Sequence, residues 1–323
     1  MKKTVKVRLV LIMLTAILLV GCGLGGRNSG SVDTIKIGYL PITHAGPLYF
    51  EKEFEDEYFK GRKIELIKFG SWIELMDALN TGRIDGASVL FELAMKAKEK
   101  GIDLKAVALG HRDGNAIIAG HTIDSVSDLK DETVAIPHTL SSHNILLEEM
   151  LHSANMTYHD VNIIELPPSE MPAALSEGRI SSYVVAEPFG ALGVTLNAGH
   201  VLYQSNELWP DSLCCALVLR NDFIVSNPEV AQEFVNGYIA AGEHAEYGYS
   251  EKDNRETHMN YLSVNEDALN LSLKWISYDN LYIQKDDYEY LRKRMLEMHL
   301  TENPPTYEEF IDQSLFQNLE RSK

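Results

Sequence analysis

The sequence predicts an α/β protein of two lobes, each built on its own sheet. From residue 34 onward, short β-branched runs alternate with longer helical stretches, a pattern typical of mostly parallel sheets covered by helices. The alternation stops and starts again near residue 120, which indicates a second sheet. At 323 residues the chain also exceeds one typical domain, so its length favours two lobes as well.

The first lobe begins with predicted strands at 34–40 and 63–69, because both runs are short and rich in β-branched residues. Two brief apolar runs bounded by turn signals, 86–90 and 105–110, predict two more strands. Helices are predicted between these strands at 73–81 and 91–100.

The second lobe repeats the pattern, and a helical tail follows it. Strands are predicted at 133–136, 162–166 and 182–185, with helices at 142–154 and 170–177. After about residue 220 the chain is almost entirely helical, and Pro228, preceded by Ser226 or Asn227 as a cap, marks a helix start. Since a tail of this kind packs most simply on the first lobe, we predict lobe 1 at 34–119 and 219–323, and lobe 2 at 120–218.

The first 21 residues have the composition of a secretory signal. Four basic residues precede a twelve-residue apolar run over 9–20, which is shorter than the ~20 residues needed to span a bilayer. The run ends in Leu19-Val20-Gly21-Cys22, which matches a bacterial lipobox. We therefore predict a signal peptide at 1–21, a lipid on Cys22 and a tether over 22–33. The lipid would hold the protein on the outer side of a cell membrane.

The charge of the chain excludes nucleic acid as a partner. It carries 47 acidic and 29 basic residues, a net charge of −18, and four of the basic residues belong to the predicted signal. Binding to nucleic acid or to anionic lipid relies on clustered lysine and arginine. An apolar content of 45% also excludes a disordered chain.

Candidate ligand-binding residues follow from the predicted strand ends. In open α/β sheets, ligands bind beyond the carboxyl ends of strands, where loops lead into helix N-termini. The residues in these loops that suit a small polar or acidic ligand are Thr43, His44, Ser71, Trp72, Ser141, Ser142, His143 and Glu187.

Several of these residues also have a purely structural interpretation. A serine at a helix start commonly caps the helix, although Ser71 and Ser141 occupy matching places in both lobes, where free amides also favour an anion. Trp72 follows a Gly-Ser turn and suits a pocket wall better than a core position. Glu187 fits a solvated strand end as well as a cleft carboxylate that receives an amine.

The other histidines and the cysteines are given structural roles. A lone loop histidine is usually a surface residue, which is the expectation for His111 and His121. Cys214 and Cys215 are adjacent in an apolar run, and neighbouring side chains of a strand point to opposite faces. We predict two buried thiols without a disulfide. No familiar metal-ligand spacing is present in the sequence, so no metal site and no cofactor are predicted.

The sequence resembles the nitrate/sulfonate/taurine-type solute-binding proteins of ABC importers, a group that includes binders of thiamin and pyrimidine precursors. The segments that carry the resemblance are 37–48 (IGYLPITHAGPL), 70–72 (GSW), 75–79 (LMDAL), 82–87 (GRIDGA), 142–144 (SHN) and 186–189 (AEPF).

The resemblance implies a type II periplasmic-binding-protein fold with mixed sheets and a ligand cleft between two lobes. Crossing strands are expected near 118–122 and 216–220, and the lobes are expected to close over the ligand. The implied function is that of a monomeric, non-enzymatic binding protein that serves a membrane permease and its ATPase. The implied solute is small and anionic or polar, of the sulfonate, nitrate, taurine or pyrimidine-precursor class. His44 stands where nitrate-type proteins commonly have an acidic residue, so nitrate specificity is not implied.

Two rival functions remain. One is an enzyme on the same fold, of the pyrimidine-precursor or menaquinone-pathway type, which the predicted signal peptide opposes. The other is a metal-ion binding protein that uses His44, His111, His138 and His143. We rank it below an organic or anionic solute, because a predicted helix start lies between His138 and His143.

Overall fold

Two five-stranded sheets organise the part of the chain that the computed structural model describes, residues 33–248 and 250–315. The predicted signal peptide and Cys22 lie outside these residues and stay predictions. The strands in chain order are β1 (Thr34–Tyr39), β2 (Lys63–Lys68), β3 (Gly86–Leu90), β4 (Leu104–Leu109), β5 (Arg112–Asp113), β6 (Asn115–Gly120), β7 (Thr133–Ile136), β8 (Asn162–Glu165), β9 (Ser182–Ala186), β10 (Gly199–Gln204), β11 (Cys215–Arg220) and β12 (Ile276–Ser277).

Helices cover the sheets and form most of the carboxyl-terminal third. In chain order they are α1 (Gly46–Glu53), α2 (Glu55–Tyr58), α3 (Trp72–Asn80), α4 (Phe91–Glu99), α5 (Ser142–Ser153), α6 (Met171–Ser176), α7 (Phe189–Thr195), α8 (Ser205–Leu208), α9 (Asn221–Ser226), α10 (Pro228–Glu243), α11 (Glu251–Tyr261), α12 (Glu266–Ser272), α13 (Lys285–Glu297) and α14 (Tyr307–Phe310). Short 3-10 turns lie at Thr43–Ala45, Val126–Leu129, Tyr158–Asp160 and Pro168–Glu170, and a π-helical turn at His244–Gly248.

The first sheet has the strand order β2-β1-β3-β11-β4. Strands β1, β2 and β3 are parallel, whereas β11 runs antiparallel to both β3 and β4. Cys215, at the start of β11, therefore pairs with Leu90 at the end of β3. The amino end of β11 thus lies at the same sheet edge as the carboxyl ends of its neighbours.

The second sheet has the order β10-β6-β9-β7-β8 and is also mixed. Strand β7 is parallel to β8 and β9, and β6 is antiparallel to β9 and β10. The chain passes from the first sheet to the second over 110–114 and returns over 205–214. These features confirm the predicted α/β class with mixed sheets. The predicted lobe boundaries stay a prediction, although all of β6 belongs to the second sheet and all of β11 to the first.

Most predicted elements are present, with ends displaced by a residue or two. The central strands β3 and β9 are buried along their whole length, as expected for strands covered on both faces. Helix α10 starts at Pro228 as predicted, but the Asn227 side chain makes no capping hydrogen bond. In the helical tail, α10 packs against α1 and α12 packs against α7, so the tail contacts helices beside both sheets. Over the described ranges, no helix is long and apolar enough to cross a membrane.

Candidate functional site

Four buried side chains converge at one edge of the first sheet: His44, His111, Cys214 and Cys215. One potential ligand atom from each lies within 4.8 Å of the others. His44 is in the 3-10 turn that follows β1, and His111 follows the carboxyl end of β4. The two cysteines are at the amino end of β11. The antiparallel direction of β11 is therefore what brings the thiols to the histidines. We call these four residues the His/Cys cluster.

Backbone carbonyls hold both imidazoles of the cluster in fixed orientations. Nε2 of His44 donates to the carbonyl of Gly114 at 2.7 Å, and Nδ1 of His111 donates to the carbonyl of Asp113 at 2.7 Å. The rings stack with their centroids 3.5 Å apart. With one nitrogen of each ring committed as a donor, Nδ1 of His44 and Nε2 of His111 keep their lone pairs. The Nε2 atom of His111 is buried and has no hydrogen-bond partner among the described residues.

The free nitrogen of His44 faces both sulfur atoms. It lies 3.7 Å from Sγ of Cys214 and 3.6 Å from Sγ of Cys215, and the two sulfurs are 3.9 Å apart. Both thiols are buried and free, as predicted. The expectation that they point to opposite faces is wrong. Cys214 precedes the first residue of β11, so the alternation of a strand does not apply to the pair.

Burial sets the protonation of the cluster. It lowers the pKa of His111 to about 4, with a contribution from His44, so this imidazole is neutral at pH 7. Burial opposes ionisation of Cys214, but its hydrogen bond with Cys215 and the nearby His143 and His44 bring the pKa of Cys214 well below its usual value. Burial and the neighbouring Cys214 raise the pKa of Cys215. The neighbouring groups therefore shift the pKa values of the two thiols in opposite directions.

His111 and the two cysteines were not among the predicted ligand-binding residues, although the metal alternative included His111. His111 was expected at the surface, but it is only 2% exposed. The strand-end rule that selected His44 applies equally to the end of β4, and this signal would have found His111. No such signal was available for the cysteines, because they lie at the amino end of a strand whose direction the sequence does not show.

Two predicted site residues, His44 and His143, lie at or beside the cluster. His143 is in the first turn of α5, is 1% exposed, and interacts electrostatically with Cys214, His44 and His111. Its burial, with help from the other two histidines, lowers its pKa to about 4. His138, which the metal alternative included, lies apart, and its Nδ1 accepts a hydrogen bond from the amide of Leu140 at 2.8 Å.

Thr43 and Glu187 link the loops of the two sheets. The amide and the hydroxyl of Thr43 donate to the backbone oxygen of Glu187 at 2.9 and 3.0 Å. The carboxylate of Glu187 instead accepts from the amide of Ala191 at 3.0 Å, at the start of α7. Burial raises the pKa of Glu187 to about 8. This carboxyl group thus contacts the start of its own helix and also interacts with Ser272 of α12.

The remaining predicted site residues are three serines and Trp72. Ser71 caps α3 and Ser141 caps α5, each by accepting a backbone amide through its hydroxyl. Trp72 and Ser142 are buried, and the indole Nε1 and the Ser142 hydroxyl lack hydrogen-bond partners in the described part of the chain. No hydrogen bond within 33–248 and 250–315 joins Ser71 or Trp72 to the His/Cys cluster. His121 is exposed, as expected, and its Nε2 donates to the carbonyl of Asn197 at 2.9 Å.

Comparison with known proteins identifies relatives of this chain. The model of the NMT1-like family matches residues 29–263. A ligand-binding component of an ABC-type import system from Staphylococcus aureus, whose crystal structure has zinc bound, is 41% identical; the match covers 88% of this chain and 98% of that one, with a TM-score of 0.83. The nitrate-binding protein NrtA from Synechocystis PCC 6803 is 20% identical over 90% of this chain and 89% of its own, with a TM-score of 0.77, and shows the shared fold.

Curated relatives include proteins of several ABC import systems. The nitrate/nitrite-binding protein NrtA of Nostoc is 27% identical over 66% of this chain and 54% of its own length. The nitrate import ATP-binding protein NrtC of Synechocystis is 26% identical over 75% of this chain and 38% of its own. Among the relatives with the strongest matches, the chain spans between about a third and three fifths of their length. The predicted resemblance and the predicted fold are both confirmed.

Proposed function

The chain belongs to the NMT1-like family, and on that premise we propose that it is the solute-binding component of an ABC importer, with zinc as its solute. The His/Cys cluster is the binding site. Membership of the family and the fold shared with the nitrate-binding protein NrtA support solute capture. The zinc-bound relative from Staphylococcus aureus supports the choice of metal.

The spacing of the ligand atoms carries the proposal. Zinc binds imidazole nitrogen at ~2.0–2.1 Å and thiolate sulfur at ~2.3 Å in a tetrahedron, which separates two nitrogens by about 3.3–3.4 Å, a nitrogen and a sulfur by about 3.6 Å, and two sulfurs by about 3.8 Å. The observed separations are 3.6 and 3.7 Å from His44 to the two sulfurs and 3.9 Å between the sulfurs. Three of the four donors therefore have nearly the spacing of a tetrahedral zinc site, and the fourth, His111, lies within 4.8 Å of them.

The charge of the complex suits a buried site. Two thiolates and two neutral imidazoles exactly balance a divalent cation, so the loaded site brings no net charge into the protein interior. Thiolate and imidazole donors favour zinc and other softer transition metals over magnesium and calcium, which prefer oxygen. In the metal-free protein, Asn115 accepts a hydrogen bond from the Cys214 thiol through Oδ1 at 3.6 Å and so helps to position this sulfur.

The predicted cellular arrangement completes the proposal. A lipid on Cys22 anchors a monomer at the outer face of the cell membrane, and the two lobes, 34–119 with 219–323 and 120–218, close over the solute. A membrane permease and a cytoplasmic ATPase complete the importer. The nitrate/nitrite-binding protein NrtA among the relatives supports a role in binding rather than in catalysis.

A polar organic solute of the predicted classes is the second candidate. The observation that favours it is the set of buried polar atoms without partners, which includes Nε1 of Trp72 and the hydroxyl of Ser142. An enclosed organic ligand would supply hydrogen bonds to such atoms.

Zinc titration of the full chain in detergent, purified metal-free and reduced, tests the proposal. We expect one zinc per chain by competition with a chromophoric chelator, and loss of this binding in the double variant Cys214→Ser/Cys215→Ser. The His121→Asn variant is the control and should bind like the wild type. If the wild type holds no stoichiometric zinc but its melting temperature rises with a sulfonate or a pyrimidine, the second candidate replaces the first.

A further inference from the structure

His143 is buried at the His/Cys cluster without any hydrogen-bond partner. Neither Nδ1 nor Nε2 has a partner among the described residues, although the side chain is only 1% exposed. Buried imidazoles almost always pair at least one nitrogen, because an unpaired buried polar group loses its hydration without compensation. His44 and His111 each use one nitrogen in this way, and His143 uses neither. Such a side chain is suited to a ligand that arrives from solution.

His143 comes from a different part of the fold than the four members of the cluster. It belongs to α5, which follows β7 of the second sheet, whereas His44 and Cys214 belong to loops of the first sheet. The Ser141 hydroxyl accepts the amide of Asn144 at 3.2 Å and so holds the first turn of α5 in place. The groups that act on His143 electrostatically are Cys214, His44 and His111.

Resting on the proposed zinc site, we propose that His143 is a further metal ligand, contributed from the second sheet, so that the bound ion joins the two sheets. Zinc takes four donors and sometimes five. It can therefore accept His143 beside the four members of the cluster or in place of one of them. A neutral imidazole is the form that a metal binds.

Metal ligands on both sheets couple the binding of zinc to closure of the two sheets over the ion. The ion can favour the closed arrangement only to the extent that it binds that arrangement more tightly. A site made only of His44, His111, Cys214 and Cys215 would bind zinc almost equally well with α5 close or distant. His143 adds a donor that is present only when α5 is close, and this is the difference in affinity that closure requires.

The test compares His143→Asn with His152→Asn in the full chain. His152 lies on the same helix but is exposed, so its replacement controls for a histidine lost from α5. Zinc affinity is measured by chelator competition, coordination by the absorption spectrum of the cobalt(II)-loaded protein, and closure by the radius of gyration in solution. His143→Gln, which has a side chain of similar length, gives the same comparison if the asparagine variant does not fold.

We expect His143→Asn to lower zinc affinity about tenfold or more. The cobalt d–d bands should shift while the sulfur-to-cobalt charge-transfer bands remain, and zinc should no longer reduce the radius of gyration. His152→Asn should match the wild type in all three measurements. Wild-type zinc affinity and an unchanged cobalt spectrum in His143→Asn would overturn this inference and leave the zinc site standing. Failure of the wild type to bind zinc or cobalt would instead overturn the proposed function itself.

Discussion

Replacement of Cys214 by serine removes one donor from the cluster while changing the protein little. Cys214 is buried, and its thiol lies 3.6 Å from Oδ1 of Asn115, so a serine hydroxyl has an acceptor nearby. We therefore expect the metal-free variant to lose about 1 kcal/mol or less of its free energy of unfolding. The effect on zinc should be much larger, because serine does not ionise near neutral pH and is a poor zinc ligand.

The size of this effect follows from the number of donors. Structural zinc sites of this kind bind with about 10–16 kcal/mol at pH 7, so one donor of four contributes about 3 kcal/mol, or about 100-fold in affinity. Chelator competition at pH 7.4 under reducing conditions measures the affinity, and thermal melting of the metal-free protein checks the fold. Unchanged zinc affinity in a folded Cys214→Ser variant would refute the assignment of the cluster as the metal site.

Three further predictions concern the protein around the site. Burial lowers the pKa of His258 to about 4, whereas an unfolded histidine binds its proton near pH 6.5. The metal-free protein should therefore lose up to about 3 kcal/mol of its free energy of unfolding through this group as the pH falls from about 6.5 to 4. His258→Gln should flatten this pH dependence in thermal melts. Arg294 of α13 forms ion pairs with two glutamates of α5, so Arg294→Ala should lower the melting temperature by about 2–4 °C for each kcal/mol of unfolding free energy that is lost. Arg179→Ala removes an exposed ion pair and should have no measurable effect on the melting temperature. A Cβ at Gly110 would lie 2.7 Å from the backbone oxygen of His44, so Gly110→Ala should displace the turn that holds His44. We expect this variant to lose about 1–3 kcal/mol of unfolding free energy in denaturant melts and to bind zinc more weakly. An unchanged stability together with an unchanged zinc affinity would contradict this geometry.

Much of the fold could be predicted from the sequence because its signals are local. The strands at 34–40 and 133–136 and the helices at 73–81 and 142–154 carry periodic apolar residues and capping serines, and all four are present within a residue or two. Strand β6 over 115–120 and strand β10 over 199–204 were not predicted as members of the second sheet. Their place in it depends on antiparallel pairing with distant segments, which no local pattern specifies.

The candidate site was only partly predictable, for a related reason. His44 and His143 were found because each follows the carboxyl end of a strand that is parallel to its neighbours. Cys214 and Cys215 join them only because β11 enters the first sheet in the opposite direction, after the chain has returned from the second sheet. Metal-ligand spacings that are read along a sequence apply to ligands on one local motif, whereas here the donors come from three separate loops.

X-ray absorption at the zinc edge of the loaded full chain identifies the atoms that bind the metal. We expect a shell of sulfur at ~2.3 Å together with imidazole nitrogen at ~2.0–2.1 Å, with one zinc per chain. Loss of the sulfur shell in Cys214→Ser/Cys215→Ser would assign it to the cluster. A zinc shell that contains only oxygen and nitrogen in the wild type would rule out the His/Cys cluster as the zinc site, because it would place the metal away from the two cysteines.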